Sequence, residues 1–166
     1  MLVLLVAIFL LGGCGNTVKE TPPLPDLNFC GNMSVTYNDC DLVCEIDNKV
    51  AAGCTVTVTK PELVSGLKMT VCDGNCTFSM GEISYELDSS FLMKTEFASE
   101  LTETFEQILT TTNVHKLENG NWLYSGSTSA GKFNLVQDSL TGYPISVTIP
   151  DIDLYIKFSN MKSNSK

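Results

Sequence analysis

The sequence contains no arginine. Its cations are ten lysines, set against nineteen aspartates and glutamates, for a net charge of -9. That balance argues against nucleic acid as a partner, because its binders cluster Lys and Arg. It argues equally against electrostatic adhesion to anionic lipid. Histidine occurs once, as His115 in Thr-Asn-Val-His-Lys-Leu, with no nucleophile pattern nearby. G-x-S-x-G, H-E-x-x-H and a phosphate-cradling glycine loop are all missing, so no enzyme, cofactor or metal is expected. Asp151 and Asp153 supply fewer ligands than calcium needs.

What is present begins at the first residue. Met1 to Leu11 is an unbroken apolar run, too short to span a bilayer and of the length of a signal-peptide core. Leu11-Gly12-Gly13-Cys14 follows and resembles the lipobox of bacterial lipoproteins. The resemblance implies a signal peptide over 1–13, a lipid (diacylglycerol, with palmitate-type acylation) on Cys14, and attachment to the cell membrane on its extracytoplasmic face. One departure is that no Lys or Arg precedes the apolar run. Either the reading frame starts upstream or the signal is atypical; an ordinary cleaved signal or an uncleaved anchor are the alternatives. Residues 14–28, rich in proline and polar groups, read as a flexible tether. The domain itself is expected over 29–161, as a monomer, with a short tail at 162–166.

Six further cysteines suggest disulfides in an exported protein. Cys72 and Cys76 flank Asp73-Gly74, and Cys44 and Cys54 flank Asp47-Asn48-Lys49, so each pair could face across a hairpin. Cys30 and Cys40 remain as a third pair. A zinc site from Cys40, Cys44, Cys72 and Cys76 is the alternative, disfavoured by its spacing. Asn32-Met-Ser and Asn75-Cys-Thr match glycosylation triplets and read as chance behind a lipobox.

Period-two alternation marks strands at 33–37, 54–59, 67–71, 76–80 and 83–87, and again at 121–124, 132–137, 145–149 and 154–158. Asp73-Gly74, Asn119-Gly120, Ala130-Gly131, Thr141-Gly142 and Pro150-Asp151 punctuate them, as hairpin turns would. Between the two sets, 91–111 is a different segment that carries a helix, with Phe91, Leu92 and Met93 just before it. Phe97, Leu101, Phe105, Ile108 and Leu109 share one face, while Glu100, Glu103 and Glu106 are expected to be solvated. The fold class is α+β, mostly β: a curved antiparallel sheet, an open half-barrel, with one long helix packed on its concave face.

In this order, Thr59-Lys-Pro-Glu-Leu-Val-Ser-Gly-Leu67, the helix, Gly126, Phe133-Asn-Leu-Val136 and Asp138-Ser-Leu-Thr-Gly-Tyr-Pro-Ile145 resemble the LolA-like (LppX-like) lipoprotein carrier superfamily over about 33–161. These motifs are also ordinary turn chemistry. The resemblance implies a concave apolar face that holds an acyl chain or another hydrophobic small molecule, with Phe91, Met93, Phe97, Leu101 and Phe105 as candidate contacts. A permanent anchor implies binding in place, without shuttling. The plain alternative is that these side chains only fill a core, leaving an envelope protein-interaction module with no ligand.

Overall fold

The computed structural model describes residues 21–50, 52–88 and 97–164. Cys14, the signal segment and the first part of the tether lie outside them, as do Phe91, Leu92 and Met93. Among the described residues no helix is long and apolar enough to cross a membrane.

Eleven strands form one open antiparallel sheet. The first meander is β1 (Phe29–Tyr37), β2 (Cys40–Lys49), β3 (Gly53–Lys60), β4 (Lys68–Cys72), β5 (Asn75–Met80) and β6 (Ile83–Asp88). The second is β7 (Val114–Lys116), β8 (Trp122–Thr128), β9 (Gly131–Gln137), β10 (Pro144–Ile149) and β11 (Leu154–Ser163). Their order across the sheet is β6-β5-β4-β3-β2-β1-β11-β10-β9-β8-β7. The chain therefore starts at the centre, winds to one edge, and crosses to the opposite edge. It then winds back until β11 pairs with β1, Val35 opposite Ile156.

The crossing element is the helix α1 (Phe97–Ile108), which packs on β8 from one half and on β3 and β4 from the other. Leu109, expected on its apolar face, lies beyond its end, more than half exposed. The concave face buries alternate residues of each central strand, such as Met33 and Val35, Val56 and Val58, Leu154 and Ile156. Phe29 joins the halves, edge-on to Phe105 of α1 at 5.6 Å between ring centroids and to Phe158 of β11 at 6.3 Å. Gly126 faces Phe133 across β8 and β9, and a Cβ there would stand 2.6 Å from its ring. Only glycine lets that ring lie flat on the neighbouring strand.

The strand register corrects all three disulfide pairs. Val71 faces Cys76 and Cys72 faces Asn75, because Asp73-Gly74 is a two-residue loop, with both residues at positive φ. Cys72 and Cys76 thus point to opposite faces. The chain reverses after Lys49 rather than at 47–49: Lys49 pairs with Gly53, and Cys54 faces Asn48. Four residues separate Cys44 from that point, about 13 Å along the strand, whereas bridged Cα atoms lie within about 7 Å. Cys30 faces Asp47 and Cys40 faces Tyr37, further apart still. The six stand as thiols; Cys44, Cys54 and Cys76 are buried and pack as small apolar residues. Among the described residues no three His, Cys, Asp or Glu come together to hold a metal.

Two boundaries also move. The end of the expected tether is a strap folded onto the domain. Leu27 is buried, its carbonyl accepts from Asn48 Nδ2 at 2.6 Å, and Asp26 N donates to Gly142 O at 3.2 Å. Leu24 stands out from the strap, almost fully exposed. At the other end Lys162 and Ser163, assigned to a tail, extend β11, and Asn164 N donates to Asn28 O.

Candidate functional site

The half-barrel is filled at its centre and open at one end. Phe29, Phe105 and Phe158 close the middle. Beyond them a cavity of about 390 Å³ opens between α1 and the turns that follow β2 and β4. Its buried lining is mainly apolar: Val71 from β4, Cys54 from β3, Phe105 from the helix and Leu27 from the strap, with exposed Leu109 at the edge. Its rim is polar, with Lys49, Asp73, Thr102, Glu103 and Glu106 among the lining residues. Pockets that take small ligands have volumes in this range; here polar and apolar residues share the lining about equally.

Local sequence places each wall. Gly53 opens β3 at φ +86°, and a side chain there would collide with the Val71 carbonyl, so β3 and β4 approach closely at the cavity's lip. Burial pushes the Cys54 thiol up to about 12, a hydrogen bond involving Thr102 opposing this weakly. Cys54 is therefore a neutral thiol across the physiological range, inert as a nucleophile. Glu103 accepts the Ser129 N–H with both carboxylate oxygens at 3.0 Å, tying the helix to the β8–β9 hairpin.

Of the expected ligand contacts, the cavity brings in Phe105. Leu101 is fully buried, and Phe97 packs against Tyr37 at 6.1 Å; both belong to the core. Phe91 and Met93 are outside the described residues. No sequence signal singles out Leu27, Cys54 and Val71 as ligand contacts, since only the strand register brings them together.

The acidic face needs a correction. Glu100 is buried, not solvated: it accepts from Ser129 Oγ at 2.9 Å and from Ala130 N at 3.3 Å. A turn has no helix or sheet partner for such groups, so a carboxylate presented from the helix satisfies them. The late motif is likewise architectural. Asp138 Oδ1 accepts from Leu140 N, Thr141 N and the Thr141 hydroxyl, and these bonds hold its carboxyl below the usual range. Asp151 accepts from Lys132 N at 3.1 Å. His115 is exposed on the edge strand β7.

No protein-family model matches this sequence, and no curated protein matches it. Among solved structures the chain is similar to an uncharacterized conserved protein from Thermus thermophilus, at 10% identity and a TM-score of 0.53, over 83% of this chain and 79% of that one. It is also similar to a LolA superfamily protein from Nitrosomonas europaea, at 10% identity and a TM-score of 0.41, over 86% and 89%. A third is a DUF1329 family protein from Desulfovibrio piger, at 10% identity and a TM-score of 0.45, over 84% and 86%. The last two likenesses are of outline and carry no argument about this chain. The first shows a shared fold: one open, curved antiparallel sheet with a helix on its concave face.

Proposed function

We propose that this chain is a membrane-anchored lipoprotein that binds one hydrophobic or amphiphilic molecule in the cavity between α1 and the β2–β4 end of the sheet, without catalysis. The cavity carries the reading: about 390 Å³, mainly apolar in its buried lining and polar at its rim. An acyl chain would rest on Val71, Phe105 and Leu27, and its polar end would meet water at the rim. The likeness of the sequence motifs to LolA-like carriers points the same way.

The anchor belongs to the same proposal. A lipid on Cys14 is connected to the strap at Pro23 by about nine residues, whose full extension is at most about 30 Å. The domain would therefore stay near the membrane and bind in place. Leu27 is both strap and cavity wall, so the tethered end of the domain carries the ligand site.

The filled aromatic centre favours the second reading, an envelope interaction module with no ligand. Native mass spectrometry separates the two. Protein from Thr21 to Lys166, purified from cells without detergent, should carry co-purifying lipid, or take up a fluorescent fatty acid that Val71→Trp excludes. A bare protein that ignores the fatty acid would refute the cavity reading. Inhibition of signal cleavage, or mass analysis of the N-terminus, tests the lipid on Cys14 separately.

A further inference from the structure

The two edges of the sheet differ in a way that the cavity does not explain. At one edge β7 is three residues long, and Lys116 covers Trp122 at 5.8 Å. Short length and a lysine are common protections of an edge strand. At the other edge β6 is six residues long, paired with β5 without a bulge, and has neither lysine nor proline. Among the described residues β5 is its only neighbour in the sheet.

The chemistry of β6 is two-sided. Ile83 and Tyr85 are 77% and 63% exposed, and with Met80 of β5 they form an apolar strip on the face that continues the core. Ser84 and Glu86 alternate with them on the opposite face, and Glu82 sits in the turn, both acids exposed. The loop between β5 and β6 has two residues, so the pair that closes it, Met80 and Ile83, exchanges hydrogen bonds. Ser84 and Glu86 then direct their N–H and C=O groups away from β5.

We infer that β6 is a docking edge for an extended segment of another protein, one that alternates apolar residues with lysine or arginine and adds to the sheet as a twelfth strand. Strand addition supplies main-chain hydrogen bonds for affinity and alternate side chains for specificity. The partner's apolar residues lie beside Ile83 and Tyr85, and its cations beside Glu86. The charge of -9 on this chain favours such an approach. A second copy fits worse: an antiparallel pair centred on Tyr85 sets Glu86 opposite Ser84 of the other copy, and Glu86 finds no cation. This inference is independent of the cavity and of any ligand there.

The test is amide hydrogen exchange of the full-length chain at Ser84 and Glu86, with a hexapeptide alternating valine and lysine as the probe. Saturating peptide should slow exchange at both amides at least about tenfold, the protection that a new strand confers. A valine–glutamate peptide, and a valine–lysine peptide N-methylated along one edge, should give none. Glu86→Lys, a surface change that leaves the fold intact, should reverse the charge preference. Ser84→Pro, which removes an outward N–H, should abolish binding while circular dichroism is unchanged. Slow exchange without peptide would show that the chain covers its own edge. Slow exchange that grows with protein concentration would show self-pairing. Equal protection by the methylated peptide would show mere charge attraction. Each of these, or no protection at all, overturns the inference.

Discussion

Replacing Leu27 by alanine tests whether the strap is part of the folded domain. Leu27 is 5% exposed, and its carbonyl accepts the hydrogen bond of Asn48, itself 6% exposed. Burial of a leucine side chain is worth about 1.5–3 kcal/mol. The site lies at the margin of the core and can partly collapse, so a loss of about 2 kcal/mol is expected, near the low end of large-to-small changes. For a domain of this size that lowers the melting temperature by about 4–8 °C. Starting the protein at Phe29 removes more: the leucine, the partner of the Asn48 amide and the Pro23 carbonyl that Tyr124 and Gln137 approach at 3.4 Å. A buried amide left without its acceptor costs about 1–3 kcal/mol. Thermal unfolding followed by circular dichroism compares Thr21–Lys166, its Leu27→Ala variant, Leu24→Ala as an exposed control, and Phe29–Lys166. The expected order of melting temperatures is parent equal to Leu24→Ala, then Leu27→Ala, then Phe29–Lys166. A Leu27→Ala protein that melts with its parent would refute the strap.

Other perturbations follow from the same geometry. Glu100→Ala leaves Ser129 Oγ and Ala130 N without an acceptor and should cost about 1–3 kcal/mol in urea unfolding, while Glu100→Gln, which keeps an acceptor oxygen, should cost less. Gly126→Ala drives a methyl into the Phe133 ring and should cost about 1–3 kcal/mol through overpacking. The buried thiols of Cys44 and Cys54 are both pushed from 9.0 up to about 12. The unfolded chain loses these protons near pH 9 while the native chain holds them, so stability is intact below pH 9 and falls between pH 9 and 12. Cys44→Ala should flatten part of that slope in unfolding curves at stepped pH. In native protein near pH 8, iodoacetamide should label exposed Cys40 and spare Cys44 and Cys54.

Local pattern carried most of the architecture. Alternation of period two marks strands because successive side chains face opposite sides of a sheet, and Asp73-Gly74 marks a hairpin because its loop demands positive φ. The helix was visible in the spacing of Phe97, Leu101 and Phe105. Register was not visible. Asp47-Asn48-Lys49 has turn-forming residues, yet Asn48 turns inward to bind Leu27 O, and the chain reverses two residues later. Whether two cysteines meet depends on the parity of each loop, which composition does not disclose. Glu100 looks solvated by type, and the β8–β9 hairpin that buries it comes from the far half of the chain. The cavity is least legible, because its wall joins the strap, β3, β4 and α1, elements distant in sequence.

The central claim is that the open end of the half-barrel holds a hydrophobic molecule. Titration of a fluorescent fatty acid into detergent-free Thr21–Lys166 tests it most directly, with Val71→Trp as the filled-cavity control. Saturable, one-to-one binding by the parent and little by the variant is expected, with equal melting temperatures or a more stable variant. No binding by the parent, or equal binding by both, would contradict it.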